Sequence, residues 1–345
     1  MIRFVVTLVM LAACVCAQAV PFNVGAYTQL DGYSEPVPIQ QMIDGWEETG
    51  VGEVAQAKAR IGLGAITYVR FWDYLSLDEF GLERRWDYHL EFSRDTARFY
   101  SILENQGLAP GEYPLDLDVN AVEGRAFYFK FKSVMPAGVL ATAKLNVIEA
   151  HKFQNGTLKG VGEVLADESY SFEYDLDYQY SRNQLLNQSV STSKAYGHSL
   201  DLDLEAHISS DWYLNAGVKD AFYNIYWKDV ASSEGCLFRQ RQNLTFCDQN
   251  FVQDSRKDFT QTLPSDAYAN VRFRQFGVGI RKWGKETYLP VHVYFYPFVI
   301  EHDIAHQSVA VQWKANEFRE VSIGLDNIDV QQAKVWRLNL RYFWL

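Results

Sequence analysis

After residue 19 the sequence has no apolar run long enough to cross a bilayer as a helix, which takes about 20 consecutive apolar residues. A helical membrane bundle is excluded on that ground. Cysteine is scarce: four in 345 residues, of which only Cys236 and Cys247 lie beyond the leader. With no histidine between them, that pair cannot make a usual zinc site. Positive charge is short as well. Lys and Arg number 32 against 43 acids, for a net charge of −11, which argues against nucleic acid as a partner. There is no Gly-x-Ser-x-Gly elbow, no phosphate-binding glycine loop and no repeat of seven or forty residues. His302 and His306 would share a strand face but lie too far apart for a metal pair, so neither metal nor cofactor is predicted. No serine stands out as a partner for His89, His151, His198, His207 or His292, and an enzyme is not expected.

What the chain has in quantity is aromatic side chains, 15% of residues, and alternation with period two. Side chains alternate between the two faces of a strand. Over residues 333–344, Trp336, Leu338, Leu340, Tyr342 and Trp344 fall on one face, while Arg337, Asn339 and Arg341 fall on the other. Residues 55–71 repeat the pattern, with Lys58, Arg60 and Arg70 opposite a run of Ala, Ile and Leu. Lys130 and Lys132 alternate with Phe127, Phe129 and Phe131. Glu173, Asp175 and Asp177 oppose a tyrosine-rich face. Asp201, Asp203 and Glu205 oppose leucines, and Arg272 opposes Val271 and Phe273, with Arg274 continuing its face. Further strands are predicted at 139–147, 212–218, 276–283, 289–299, 305–315 and 319–325. Residues 84–92 and 96–103 read as the arms of a hairpin, and Asn155-Gly156 reads as a hairpin turn. Residues 104–122, with Pro110, Gly111, Pro114 and several acids, read as a loop. Residues 181–195 and 228–263 are also predicted irregular.

The first nineteen residues form a leader, with Arg3, an apolar core from Phe4 to Ala13, and Ala17-Gln18-Ala19 as the cleavage site. Leu11-Ala12-Ala13-Cys14 also fits a lipidation box. Simple cleavage is preferred, because Cys14 comes early. Export places Cys236 and Cys247 in an oxidising compartment and predicts a disulfide. Residues 20–54 form an arm. In it Ile39, Met42, Ile43 and Trp46 follow the i, i+3, i+4, i+7 spacing of one helix face. Two positions are open for this helix: a plug inside the lumen, against Ile66, Tyr68 and Tyr128, or the periplasmic rim.

Taken together, the leader, the alternating strands and the aromatic-rich terminal strand resemble a Gram-negative outer-membrane β-barrel. The resemblance covers most of residues 55–345 and is to a class. It implies an all-β fold, an antiparallel transmembrane barrel of about twelve to fourteen strands with a short N-terminal helix. It implies outer-membrane lipid and the insertion machinery as partners, the latter recognising Trp336 to Trp344, and long loops able to bind a protein. The inward charges cannot face lipid and would line a wet lumen: Lys58, Arg60, Arg70, Lys130, Lys132, Glu173, Asp175, Asp177, Asp201, Asp203, Glu205, Arg272, Arg274, Arg337 and Arg341. Two functions follow. One is a porin-like route for small polar solutes between an acidic and a basic wall. The other is a closed structural barrel acting through its loops. An outer-membrane hydrolase ranks below both. Counting strands back from the last one puts 228–263 at the same end as the termini, where short turns belong, so one strand between 264 and 325 is split or missed.

Overall fold

The computed structural model describes residues 23–344, except 47–49, 73, 104–106, 168, 184–187, 190–193, 241–246, 248, 250 and 317. The predicted leader and Cys14 lie outside them. The protein is a closed antiparallel barrel of 14 strands. Its wall runs β1 (Asn23–Ser34), β2 (Val54–Trp72), β3 (Leu75–Phe92), β4 (Gly111–Val134) and β5 (Val139–Val164). It continues through β9 (Ala195–His207), β10 (Trp212–Arg239), β12 (Asp266–Phe273), β13 (Phe276–Trp283), and β14 (Glu286–Tyr288) with β15 (Pro290–Phe295) as one interrupted strand. β16 (Phe298–Asp303), β17 (Ser308–Asn316), β18 (Arg319–Leu325) and β19 (Val335–Phe343) complete it. Closure is by β19 against β1, from Tyr33↔Val335 to Gly25↔Phe343.

The two ends of the barrel differ. At one, the short connections between β2 and β3, β4 and β5, β9 and β10, β12 and β13, β15 and β16, and β17 and β18 lie at the same end as Asn23 and Phe343. We call this the turn end. Every longer connection lies at the opposite, loop end. The strand missed in the sequence is a hairpin: residues 289–299 hold the turn 296–297 between β15 and β16, which restores the sidedness of the long loops.

β4, β5 and β10 run for 24, 26 and 28 residues and continue beyond the wall at the loop end. There they pair with β6 (Tyr170–Tyr180) and β11 (Phe251–Thr262). β7 (Arg182–Asn183) and β8 (Gln188–Ser189) form a small separate ladder. β11 returns to β4 through Asn120, whose Nδ2 donates to Thr262 O at 2.6 Å, and through buried Gln261, whose Nε2 donates to Ala121 O at 3.1 Å. An apolar core fills this extension: Phe153, Ile225, Trp227 and Val230 with Val122, Ile148 and Phe259. Each large side chain there contributes about 1.5–3 kcal/mol by leaving water.

Four sequence expectations are corrected. Residues 96–103 are not a strand: α2 (Arg94–Leu103) is a helix whose first turn is capped by Ser93 Oγ, accepting from Thr96 N at 3.0 Å. Residues 111–122 belong to β4 rather than a loop. Pro114 fits because residues 111–116 have register partners only on β5, the pairing with β3 beginning at Leu117. Asn155-Gly156 is not a turn but the middle of β5. A side chain at Gly156 would lie 2.2 Å from Asp177 O of β6, so glycine there permits close strand approach. Residues 228–239 and 251–262 are strands, not irregular chain.

Candidate functional site: the divided lumen

The inward faces of β2 and β3 carry Lys58 and Arg60, and Glu79, Glu83, Arg85 and Asp87, every second residue. On β10 the register slips after Val218, and Asp220 there has a φ of 55°. The bulge turns two consecutive residues, Lys219 and Asp220, inward. Asp220 becomes the hub of a dry ion network. Lys58 Nζ lies 2.9 Å and Arg60 Nη2 3.4 Å from its Oδ2, and Arg85 pairs with its Oδ1. Ser199 Oγ donates to the same oxygen at 3.1 Å. Arg60 also meets Asp87 at 2.5 Å, and Tyr223 donates to Asp87 at 2.9 Å.

Towards the turn end the network continues. Lys144 meets Glu83 at 2.8 Å, Tyr27 donates to Glu83, and Tyr128 donates to Glu79 at 2.7 Å. Arg341 of β19 meets Glu79 at 2.8 Å. Tyr128 fits because β2 and β3 place Gly64 and Gly81 beneath its hydroxyl, where a methyl group would stand 2.5 and 2.7 Å away. The extension's apolar core begins immediately above, sharing Tyr223.

β2 also reaches the far wall. Gln56 Nε2 donates to Trp283 O of β13 at 3.2 Å, and Asp31 of β1 faces Arg281 of β13 at 3.7 Å. These contacts divide the lumen into two lobes. One is filled by the network and the apolar core. The other, walled by β1, β10 and β12–β19, holds a cavity of about 310 Å³ lined by polar side chains that include Asp266, Tyr268, Arg281, His292, Glu301 and Arg337. At the loop end beside it, His306 stacks on Tyr288 with ring centres 4.3 Å apart and meets Tyr33 edge-on at 4.7 Å. Its Nδ1 lies 2.8 Å from Asp303 and its Nε2 3.2 Å from Glu286. Burial opposes its charge, but those two carboxylates prevail and raise its pKa to about 9.

The residues read from the sequence divide accordingly. Lys58, Arg60, Arg337 and Arg341 lie in the lumen as ion-pair partners, and Lys130 and Lys132 face Asp78. Asp201 accepts from the Asp220 amide at 2.8 Å, and Asp203 accepts from Asn215 at 3.1 Å. Glu205 is half-buried on the same strand. Arg272 lies between the rings of Tyr213 and Tyr294, at 4.8 and 4.9 Å.

Other assignments are corrected. Glu173, Asp175 and Asp177 do not line the lumen, because β6 pairs with β5 and β10 beyond the wall. There Glu173 accepts from the Cys247 amide at 2.6 Å, and Asp177 faces Lys257 at 3.1 Å. Arg274 sits in the 274–275 turn against Asp211 at 3.4 Å, and Arg70 is exposed near the turn end of β2. The acidic and basic walls become one interleaved network, because acids and cations alternate within β3 itself. Cys236 and Cys247 form a disulfide that ties the end of β10 to the following loop.

The helix α1 (Ile39–Asp44) lies at the loop end, opposite the end where the described chain begins and finishes. It ends at Gly45, which puts Trp46 beyond it. Trp46 packs with Val37 and Met42 on Ala97 of α2, while Ile43 is exposed. Ile39 N donates to Ala333 O at 3.0 Å. The helix meets neither Ile66 nor Tyr128 and is not part of the cavity lining; it is a strut on the loop-end rim, so it is neither the plug nor on the rim of the short turns and chain ends, the two positions read from the sequence.

The histidines have other partners. His89 meets Gln56 and Glu91, His151 meets Glu123 and His292 meets Glu301. Among the described residues, no group of three metal-ligating side chains is assembled. Sequence reasoning missed Asp220, Glu79, Glu83, Arg85 and Asp87. For the four on β3 the signal was its alternation against Phe80, Leu82, Trp86 and Tyr88, obscured by the Arg84-Arg85 pair, whereas Asp220 sits at the β10 bulge and had none. The geometry defines a closed β-barrel with a divided polar lumen. No protein-family model matches the chain, and no curated protein matches it.

Proposed function

We propose that the chain is an outer-membrane β-barrel that gives small polar solutes a narrow route through one lobe of its lumen. The lipid assignment is supported by the outward face, where Leu63, Leu82, Leu204, Val278, Val311 and Ile323 are exposed on strands all round the wall. An apolar belt of that extent needs a non-aqueous neighbour. At the turn end Trp72, Tyr74, Trp212, Phe276, Tyr296 and Trp344 are exposed, as in an interfacial aromatic girdle. The turn end then faces the periplasm and the loop end the outside. β19, with Trp336, Leu338, Leu340, Tyr342 and Trp344 outward, is the strand that insertion machinery would read.

The observation that carries the solute route is the cavity beside the filled lobe. Its wall runs from Asp266 and Tyr288 near the loop end to Gln312 and Glu320 near the turn end. Reconstitution into planar bilayers tests it. The expected result is small, steady conductance steps, because half the bore is packed. Silence from a barrel that migrates as folded, heat-modifiable protein overturns the route. The closed, partner-binding reading would then stand, supported by the apolar core over one lobe and the His306 stack beside the other.

A further inference from the structure

The outward face of the wall changes character at one level on three neighbouring strands. Towards the turn end it is apolar, with Leu82 on β3, Phe127 on β4 and Val147 on β5. The next outward residues are Arg84, Arg125 and Glu149, which stand in one register row. Tyr196 of β9 and Tyr226 of β10 continue that row. Both tyrosines are exposed, as is Tyr88 of β3. With Trp86 these rings mark the loop-end interface of the wall, because Trp and Tyr collect at the level of lipid headgroups.

The row sets two arginines directly opposite each other on adjacent strands, an arrangement that destabilises a sheet. Arg84 lies over the ring of Trp86 at 4.6 Å and pairs with Glu123. Glu123 also meets Lys152 at 2.9 Å and His151 at 3.4 Å. Glu149 faces Arg125 in register and is paired with Lys194. Among the described side chains of this sector, Arg84, Arg125, Lys152 and Lys194 therefore share the carboxylates of Glu123 and Glu149. Positive charge is in excess by two, and by three when His151 is protonated. All four cations are exposed, so the excess is open to the surroundings of the barrel.

We propose that this sector is a docking surface for a phosphate-bearing lipid of the surrounding leaflet, its phosphate between Arg84 and Arg125 and its acyl chains on Leu82, Phe127 and Val147. A phosphate monoester carries about −1.5 to −2 charge at neutral pH, which matches the excess. Arginine binds it through paired hydrogen bonds. It offsets the repulsion within the arginine row, which a lipid without phosphate leaves in place. Leu82 and Phe127 stand two residues below the arginines, about 7 Å along each strand, so headgroup and chains engage one surface together. Free phosphate has only the first of these contacts. The proposal rests on the reading of the chain as a membrane barrel, not on conduction through its lumen.

The test uses the full mature chain folded in a non-ionic maltoside, with bound lipid read by native mass spectrometry. Dioleoyl phosphatidic acid is compared with dioleoylglycerol, which has the same chains and no phosphate, and with inorganic phosphate. Phosphatidic acid is expected to bind at least about tenfold more tightly than either. Arg84→Gln with Arg125→Gln should remove that preference. Lys282→Gln, at an exposed lysine on β13, should keep it. Arg125→Gln with Lys152→Gln, which leaves the Arg84–Glu123 pair in place, serves if the first variant loses heat-modifiable migration. Equal binding of the two lipids, or folded variants that keep the preference, overturn the site. So does an equal loss in Lys282→Gln, which would reduce the effect to overall charge. Inorganic phosphate binding as tightly as phosphatidic acid makes the surface an anion site and overturns lipid docking. An unaltered chain that never migrates as a folded, heat-modifiable barrel overturns the membrane reading and the site with it. A folded barrel without the preference removes the site alone.

Discussion

Lys58 of β2 and Asp220 of β10 meet at 2.9 Å inside the barrel, both almost fully buried, though their strands stand five apart round the wall. That contact is what makes the lumen two unequal lobes. Removing two charges from water is costly, and their attraction offsets the cost only when the remaining polar atoms are also satisfied. Asp220 meets this condition through Arg60, Arg85, Ser199 and its own amide, which donates to Asp201.

Asp220→Ala should therefore be among the most damaging single changes in the barrel wall. It leaves Lys58, Arg60 and Arg85 buried around a missing charge, for an expected loss of about 3–5 kcal/mol. Denaturant unfolding in detergent micelles measures it. Combining Asp220→Ala with Lys58→Met should recover part of the loss, because one unmatched cation is removed. A double variant no more stable than the single one would show that Lys58 is not held by Asp220.

The Cys236–Cys247 bond should support the extension and not the barrel. Cys236 lies where β10 pairs with β6 and β11, and the bridge closes a separation of 11 residues. Replacing both cysteines with serine should cost the extension about 2–3 kcal/mol. Hydrogen exchange should quicken in β6 and in β10 from 231 to 239, while β12 to β19 keep their protection. Uniformly faster exchange throughout would mean that the two parts unfold together.

His306 gives a pH dependence of definite sign. Its pKa rises from 6.5 unfolded to about 9 folded, despite burial, through Asp303 and Glu286. The stabilisation is fully present below pH 6.5, where both states are protonated. It declines as pH rises towards 9 and is gone above that. Its size is about 1–2 kcal/mol after solvent screening. His306→Gln should flatten the stability profile between pH 6.5 and 9. An unchanged slope would place the titrating group elsewhere.

Much of the barrel was legible because a wall with lipid-compatible residues outside and charges inside imposes strict alternation, and β9 and β19 show it without interruption, as does β2 as far as the register slip after Ile66. The count of strands was recoverable for the same reason, up to the hairpin at 296–297, where Pro297 reads as a weak point in one strand instead of the turn between two. The network itself was half legible. Lys58 and Arg60 sit in clean alternation, but their partner Asp220 follows Lys219 directly, and a bulge that turns both inward leaves no periodic trace. β6 misled because its alternation is as regular as that of a wall strand. On its tyrosine face Tyr170 and Phe172 pack with Phe99 of α2, and Tyr178 and Tyr180 pack with Leu237 of β10 and Val252 of β11. Period two reports a two-sided strand and says nothing of what covers either side.

The rim helix departs from both readings of the N-terminal arm, and from the plug most of all. Trp46 is 92% buried, packed beside Val37 and Ala97 with its ring 5.0 Å from that of Tyr100. Both Ala97 and Tyr100 belong to α2, so Trp46 joins the β1–β2 connection to the β3–β4 connection at the loop end. A plug would instead couple the arm to lumen side chains. Trp46→Ala should cost about 3–5 kcal/mol, the usual range for deleting a buried indole. Because the helix stands clear of the cavity, the conductance of a variant that still folds should equal that of the unaltered protein. Ile43→Ser, on the exposed side of α1, should change neither quantity. If Trp46→Ala instead raises conductance while β2 to β5 keep their exchange protection, the arm occludes the route after all, and the strut assignment fails.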